Sequence, residues 1–301
     1  MKIAVAASPE VAIPTLEYLR ASEHELSLII SRPDSPVGRG RELTPTAVST
    51  WATTNGIELY CPNKAADFDD RLKNFDLVIT IGYGVLLPEY ILIQPKHGFL
   101  NLHFSLLPKL RGAAPAQRAI IEGLTETGIT VFQLDAGMDT GPIYLQMKHS
   151  IAPNTTAGDL LNELAQLGPT AIDETLSAIK NGIKPVAQDH SLATSAAKLT
   201  KSEAQIDWSE RAKNIVNQVL GFAPNPGATA KFRGEILRIT KAQVSEHSLP
   251  PREISLLGGS VLVGTSTNAV ELLEVTPAGK KAMAASAWAN GARFVAGETI
   301  E

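Results

Sequence analysis

The sequence of 301 residues contains a single cysteine, Cys61, and no apolar run of about 18 residues that could cross a membrane. One cysteine cannot form a disulfide within the chain, and scarce cysteine is typical of the reducing cytoplasm. The first residues carry one lysine and are interrupted by Pro9, Glu10 and Pro14, which predicts a buried strand rather than a signal peptide. We therefore expect a cytoplasmic protein with no membrane partner.

Signatures of nucleotide binding and of covalent catalysis are also missing. The turn after the first strand reads Ala-Ser-Pro-Glu, without the glycines of a dinucleotide or phosphate loop. No serine or cysteine lies in a nucleophile elbow, although Ser105 follows His103 closely enough to leave Ser/His hydrolysis as an alternative. A metal site would need His103 and Asp139 together with His97 or His149, and no helical His-x-x-x-His pair supports it. We expect no metal.

The first part of the chain contains alternating strand and helix patterns. The runs at residues 2–7 and 76–81 have the apolar character of buried parallel strands, and helical patterns separate such runs. This order predicts an α/β fold whose amino-terminal domain is Rossmann-like, with an open, mostly parallel sheet. Thr156 and Asp159 form a capping-box pattern for a later helix, which we expect Pro169 to break or restart.

The last third of the chain has a different pattern, because one helical repeat precedes several short alternating segments. These segments are residues 228–233, 235–245, 260–264 and 269–276. Short strands after a single helix predict a smaller OB-like β-barrel domain. The predicted boundaries are 1–183 for a catalytic domain, 184–205 for a linker and 206–301 for the barrel domain.

Two polar side chains share one strand end in the stretch 98–112. Asn101 and His103 alternate with apolar residues, so both side chains lie on the same face of the strand. The Ser-Leu-Leu-Pro sequence that follows cannot continue the strand. Open α/β sheets bind ligands at such strand ends. A structural cap of the strand is the alternative for this pair taken alone, but Asp139 in the later Gly-Met-Asp-Thr-Gly sequence supplies a carboxylate for the same crevice.

The sequence NLHFSLLPKLRGAAPAQRAI, with GMDTG downstream, resembles the formyltransferases that use 10-formyltetrahydrofolate. The resemblance implies that Asn101, His103 and Asp139 are the catalytic set and that 10-formyltetrahydrofolate is the formyl donor. It also implies a folate site along the loops that follow two strands. The implied folate contacts are Gly84, Leu86, Leu87, Ser105, Leu106, Leu107, Pro108, Lys109 and Leu110.

The chemistry of formyl transfer agrees with these residue types. The amide of Asn101 and the imidazole of His103 can donate hydrogen bonds to an oxyanion as it forms. We expect Asp139 to favour the imidazolium form of His103, because a nearby opposite charge stabilises the charged state. Asp139 or a water can accept the proton of the attacking amine.

Within that family, the resemblance is closest to the members that formylate initiator tRNA, and it covers nearly the whole chain. RPDSPVGRGREL is similar to their tRNA-contacting loop, KLTKSEAQIDWS to their linker and GKKAMAASAWANG to their carboxyl-terminal signature. This implies transfer of the formyl group to the α-amino group of methionine on initiator Met-tRNA, for translation initiation, and we expect a monomer. The implied contacts with tRNA phosphates are Arg39, Arg41, Lys198, Lys201 and Arg233.

Two other functions stay open for the sequence alone. One is a 10-formyltetrahydrofolate-dependent formyltransferase that acts on a nucleotide-linked amino sugar, and the other is a folate-binding or nucleic-acid-binding module without catalysis. The complete set of Asn101, His103 and Asp139 argues against a module without catalysis. The basic loop around Arg39 argues against the sugar enzyme.

Overall fold

A computed structural model describes residues 1–37, 40 and 42–301. The chain divides into two compact units that are each assembled from separate stretches of sequence. The first unit contains Met1–Ala113, Glu126–Ser150 and Leu161–Ala196, and the second contains Ala114–Thr125, Ile151–Leu160 and Ala197–Glu301. Residues 184–205, predicted as a linker, therefore contribute to both units, and the domain boundaries expected from sequence stay a prediction.

The first unit is built on a seven-stranded sheet in the described residues. Its strands are β1 (Lys2–Ala7), β2 (Glu25–Ile30), β5 (Glu58–Tyr60), β6 (Leu77–Ile81), β7 (Phe99–His103), β8 (Glu126–Gln133) and β9 (Ile143–Ser150), while β3 (Ser35–Val37) and β4 (Glu42–Thr44) form a separate hairpin. The order is β5-β2-β1-β6-β7-β8-β9, parallel as far as β7 and antiparallel beyond it. The predicted Rossmann-like, mostly parallel sheet is confirmed.

Helices and short 3₁₀ turns lie between these strands and after the last of them. The helices are α1 (Ile13–Ala21), α2 (Ala47–Thr54), α3 (Glu89–Leu92), α4 (Pro115–Ile121) and α5 (Ala157–Lys180), and the 3₁₀ turns are Glu10–Ala12, Ala65–Asp67, Asp70–Asn74 and His190–Leu192. Thr46 begins α2 because its hydroxyl accepts a hydrogen bond from the backbone N–H of Ser49. No helix in the described part of the chain is both long and apolar enough to span a membrane.

Helix α5 confirms one sequence prediction and corrects another. Thr156 and Asp159 exchange the two hydrogen bonds of a capping box, with Asp159 N–H donating to the Thr156 hydroxyl at 3.1 Å. Pro169, however, lies inside a continuous helix, so the expected break is wrong. Gly168 explains the tolerance, since the helix approaches Thr15 and Leu102 closely at this residue, and tertiary packing outweighs the lost backbone hydrogen bond.

The second unit carries an antiparallel sheet. Its elements after α4 are α6 (Ala212–Phe222), β10 (Ala228–Phe232), β11 (Glu235–Val244), β12 (Ile254–Leu257), β13 (Ser260–Val263), β14 (Val270–Pro277), β15 (Met283–Ala284) and α7 (Ala285–Ala292). The order is β10-β11-β14-β13-β12, with β15 on β14. Register shifts around Lys241 bend β11, which curls the sheet. The predicted OB-like β domain is confirmed, whereas β12 and α7 were not predicted.

Helix α7 has a packing reason that periodicity does not reveal. Trp288 on this helix meets Phe232 and Phe294 in edge-to-face contacts, each with ring centroids 5.2 Å apart. Such aromatic contacts stabilise a short helix that is too weak to form alone.

The same glycine-to-alanine change should have opposite effects in two helices. In Gly168→Ala a Cβ would collide with Thr15 Oγ1 and lie 3.0 Å from Leu102 Cδ2, so we expect destabilisation by about 1–3 kcal/mol. Gly291→Ala in α7 is the matched control, because nothing lies within 4 Å of its Cβ, and we expect stabilisation by up to about 1 kcal/mol. Urea unfolding checks both signs, and a stabilised Gly168→Ala protein would contradict this packing.

Candidate active site

Strand β7 presents Asn101 and His103 at the edge where the parallel strands end. Asn101 lies opposite Thr80 of β6 in parallel register, and His103 lies opposite Thr130 of β8 in antiparallel register. His103 is only 6% exposed and stands edge-to-face on Phe132, with ring centroids 6.3 Å apart. The two residues therefore lie two positions apart on one face of the strand, with the imidazole buried and the amide half-buried.

Thr80 orients the amide of Asn101. Its hydroxyl lies 3.0 Å from Asn101 Oδ1 and 3.0 Å from the carbonyl oxygen of Leu100, and these two acceptors share its single hydrogen. The amide oxygen is thereby occupied, while Nδ2 has no partner among the described residues. Asn101 can offer a free N–H donor to a substrate.

A single hydrogen bond sets the tautomer of His103. Its Nε2 lies 3.0 Å from the carbonyl oxygen of Leu110, and a carbonyl can only accept, so Nε2 carries the hydrogen. In the neutral ring, Nδ1 is then the proton acceptor. Nδ1 lies 3.8 Å from Asp139 Oδ2, beyond hydrogen-bond distance. A bare nitrogen and a carboxylate oxygen thus face the same small space.

Burial decides the charge of this imidazole. The pKa of His103 is lowered, because removal from water disfavours the cation more than the Asp139 carboxylate and the Leu110 carbonyl favour it. Asp139 thus favours the imidazolium form, as expected, but the effect of burial is larger. His103 rests as a neutral base.

Asp139 is held by its backbone and by its side chain. Its φ of 55° lies in the left-handed region, which an aspartate adopts at some cost. The N–H of Gly112 donates to Asp139 Oδ2 at 2.8 Å, and the Gln188 amide donates to the Asp139 carbonyl at 3.0 Å. Leu110, the other contact of His103, is also left-handed, with φ of 58°. Both partners of the imidazole are thus in strained conformations of the kind that cluster at active sites.

Ser105 belongs to the loop structure rather than to a nucleophilic site. Its side chain is fully buried, and its hydroxyl donates to the Lys109 carbonyl at 2.7 Å. Thr130 donates to the Ser105 carbonyl at 2.6 Å and accepts from the N–H of Leu107 at 3.1 Å. The hydrogen bonds that shape this loop leave no free serine hydroxyl beside His103, so the geometry gives Ser/His hydrolysis no support.

The metal alternative gains no support from the histidines. His149 Nε2 lies 2.8 Å from Glu163 Oε2 on the protein surface. No group of three or more potential His, Cys, Asp or Glu ligands occurs in residues 1–37, 40 and 42–301.

The side chains of the predicted folate contacts differ in their exposure to solvent, and only some of them can touch a ligand. The side chains of Leu87, Ser105, Leu107 and Leu110 are buried in the protein, so these residues can offer only backbone groups to a ligand. Leu86 is 68% exposed, Gly84 and Lys109 are exposed, and Leu106 and Pro108 are half-buried. The accessible part of this set thus consists of an apolar side chain at the end of β6 and the 106–109 turn.

A cavity of about 790 Å³ lies beside the loop that leads to Asp139. Its lining includes His97, Gln133, Gly137, Tyr144 and Lys184, and sequence reasoning did not single it out. None of the predicted folate contacts lines it.

The predicted tRNA contacts also have different surroundings. Arg39 and Arg41 lie outside the described residues, and Lys198 and Lys201 are exposed. The Arg233 guanidinium donates to both carboxylate oxygens of Glu298, at 2.6 and 3.0 Å, and to the Ala292 carbonyl at 2.9 Å. These contacts give Arg233 a structural function in the second unit that competes with phosphate binding.

Comparisons with known proteins agree with this geometry. The family described as "Formyl transferase" matches residues 1–176, and "Formyl transferase, C-terminal domain" matches residues 198–293. The chain is thus a formyl transferase in both of its parts.

A relative that matches along the full length of the chain shows which formyl transferase family the chain belongs to. The methionyl-tRNA formyltransferase of Streptomyces griseus subsp. griseus is 42% identical over 308 residues, covering 100% of this chain and 99% of its own. The chain belongs to the methionyl-tRNA formyltransferase family.

Solved structures share the fold at low identity. HypX from Aquifex aeolicus in complex with tetrahydrofolic acid matches with a TM-score of 0.67 and 18% identity, over 96% of this chain and 47% of its own. Methionyl-tRNA formyltransferase from Clostridium thermocellum matches with a TM-score of 0.59 and 15% identity, over 81% of this chain and 94% of its own.

The tautomer and charge of His103 can be tested by NMR titration of the histidine ring resonances. The His103 signal, assigned by its loss in His103→Gln, should titrate below the ordinary value of about 6.5. Asp139→Asn should move it lower still, because the carboxylate that favours the imidazolium is gone.

The matched control for this titration is His24. The pKa of His24 is lowered by burial and by the amino terminus, so Asp139→Asn should leave it unchanged. A rise in the pKa of His103 on removing the Asp139 charge would contradict the assigned geometry.

Proposed function

We propose that the chain transfers a formyl group from 10-formyltetrahydrofolate to the α-amino group of methionine on initiator Met-tRNA. The observation that carries the proposal is the arrangement around β7, in which Nδ1 of His103 lies 3.8 Å from the Asp139 carboxylate. Asn101, on the same face of the strand, keeps its amide Nδ2 without a partner among the described residues. Ser105, the serine nearest to His103, is committed to the Lys109 carbonyl. A site of this kind suits a reaction whose nucleophile arrives with the substrate. The full-length relative at 42% identity bears the name of this activity.

Asn101 supplies the electrostatic part of the proposed reaction. The free Nδ2–H donates to the formyl oxygen as attack by the amine turns it into an oxyanion. Thr80 holds the amide oxygen, so the donor is oriented before the substrate binds and little reorganisation is needed. Losing one such donor typically costs about 2.7–4 kcal/mol of transition-state stabilisation.

His103 and Asp139 handle the proton in this proposal. Attack makes the amine nitrogen positive, and the bare Nδ1 of neutral His103 can accept its proton. The resulting imidazolium lies 3.8 Å from the Asp139 carboxylate, which stabilises the cation while it exists. The imidazolium then donates this proton to the leaving nitrogen, which restores the neutral ring.

The residues at the strand ends fit a folate. Bound 10-formyltetrahydrofolate supplies the formyl carbon and a nitrogen leaving group. Leu86 offers an apolar side chain 68% exposed, and Gly84 leaves the backbone accessible at the same edge of the sheet as Asn101. We assign the folate to this edge, with Leu86, Leu106 and Lys109 as side-chain contacts and the other predicted residues of both loops as backbone contacts.

The tRNA would be held mainly through its phosphates. Lys198 and Lys201 are exposed basic side chains of the second unit, and lysine and arginine position nucleic acids through phosphate contacts. We retain Arg39, Arg41, Lys198 and Lys201 as proposed contacts and give Arg233 lower priority because Glu298 balances its charge. The proposal includes one protein chain per tRNA, acting as a monomer in the cytoplasm.

Acceptor choice and site residues can be tested in one assay. Labelled formyl from 10-formyltetrahydrofolate is offered to initiator Met-tRNA, elongator Met-tRNA and a nucleotide-linked amino sugar. We expect transfer to initiator Met-tRNA, and losses in kcat of about 100-fold or more for Asn101→Ala, His103→Ala and Asp139→Asn, because each removes a group that acts in the transition state.

Matched controls and outcomes make this assay decisive. His149→Ala changes a surface histidine bonded to Glu163 and should leave kcat unaltered. Preference for the amino sugar would replace the tRNA proposal with the sugar enzyme, and near-normal turnover in either His103→Ala or Asp139→Asn would refute the proposed catalytic set.

A further inference from the structure

The segment 186–196 crosses both loops that contact His103. Val186 exchanges two backbone hydrogen bonds with Ile143, at 2.7 and 2.8 Å. Farther along, the N–H of Arg111 donates to the Thr194 carbonyl at 2.9 Å, and the N–H of Ala196 donates to the Arg111 carbonyl at 2.6 Å. The segment thus joins the loop after Asp139 to the loop that ends at Gly112, and both lie in the first unit.

Gln188 is the buried polar side chain of this segment. It is 6% exposed, although the residues on either side of it are exposed. Its Nε2 donates to the carbonyl oxygens of Asp139 at 3.0 Å and Gly141 at 2.7 Å. Its Oε1 accepts from Arg111 Nε at 3.2 Å and Nη2 at 2.6 Å. Carbonyls only accept and a guanidinium only donates, so the amide has one possible orientation.

These contacts hold Asp139 at two points. Gln188 fixes its backbone carbonyl while the residue is in the left-handed conformation. Gly112, next to Arg111, fixes its carboxylate. Gly112 must be glycine there, since its φ is 126° and a Cβ would lie 2.7 Å from the Ala196 carbonyl oxygen. The distance from Asp139 to His103 therefore depends on a bridge that passes through Gln188.

We propose that Gln188 is a positioning residue for catalysis, which joins the two loops and keeps Asp139 at its distance from His103. The inference rests on the proposed function, because it requires Asp139 to act in the reaction. Without the bridge, Asp139 is free to leave the left-handed conformation, and its carboxylate moves relative to Nδ1 of His103. Misplacement by about 1 Å can cost about 100-fold in rate.

Two variants separate the halves of the bridge. Gln188→Met keeps the length of the side chain but removes all four hydrogen bonds. Gln188→Glu keeps the acceptor for Arg111, so it is expected to fold even if Gln188→Met does not, but it cannot donate to the carbonyls of Asp139 and Gly141. Both should lower kcat by about 10–100-fold and change KM for either substrate by less than about twofold.

Two readouts distinguish positioning from a general loss of structure. Adding Gln188→Met to Asp139→Asn should lower kcat by less than about twofold, because Gln188 acts through the carboxylate already removed. As a single substitution, Gln188→Met should also lower the pKa of His103 measured by NMR titration. The reason is that the Asp139 carboxylate, which favours the imidazolium, moves away from the ring. The matched control is Asp189→Asn, whose carboxylate forms its hydrogen bonds with Ser191 and which should leave kcat unaltered.

The outcomes distinguish failure of this inference from failure of the proposed function. The positioning function is overturned if Gln188→Glu keeps full kcat. It is also overturned if Gln188→Met lowers kcat by the same factor in the wild-type chain and in the Asp139→Asn variant. If Asp139→Asn alone keeps full kcat, the proposed catalytic role of Asp139 fails and this inference fails with it, whereas the proposed function fails if no formyl group is transferred to Met-tRNA. If Asp139→Asn lowers kcat but neither Gln188 variant does, only this inference is refuted.

Discussion

The hydrogen bond from His103 Nε2 to the carbonyl of Leu110 is the constraint on which the rest of the site depends. It leaves Nδ1 as the only nitrogen available for chemistry, and burial keeps that nitrogen unprotonated. To present its carbonyl, Leu110 adopts a left-handed conformation, which the loop maintains through hydrogen bonds from Ser105 and to Thr194. The strain is thus local, and the surrounding hydrogen bonds offset it.

A site built in this way has donors and a base but no nucleophile of its own. Such an arrangement suits transfer to an amine, since an amine near neutral pH needs positioning and a proton acceptor more than activation. Asp139 stabilises the ring only when the proton has moved, because the neutral imidazole carries no charge for the carboxylate 3.8 Å away to attract. Its position therefore matters as much as its presence, and that position is set by Gly112 and Gln188.

Sequence patterns predicted those features that depend on neighbouring residues alone. Strand alternation placed Asn101 and His103 on one face, and the capping box of Thr156 and Asp159 formed as expected. Pro169 was misjudged because packing at Gly168, between elements far apart in sequence, overrides local preference. The direction in which Asp139 acts on His103 was predicted, whereas the larger effect of burial on the pKa of His103 was not, because the extent of burial is a tertiary property. Gln188 could not be predicted from its local sequence, since its three partner residues, Arg111, Asp139 and Gly141, lie 47 to 77 positions away in the chain.

A crystal structure with a tetrahydrofolate analogue bound tests the central claim most directly, because it locates the reacting nitrogen relative to the three side chains. The account predicts that Asn101 Nδ2 lies within about 3.2 Å of the formyl oxygen of a formyl-bearing analogue, with N10 on the side of the imidazole that exposes Nδ1 and with His103 Nε2 still bonded to Leu110. An analogue with N10 in the cavity lined by His97 and Lys184, away from Asn101, would contradict it, and so would an imidazole turned to bond Leu110 through Nδ1.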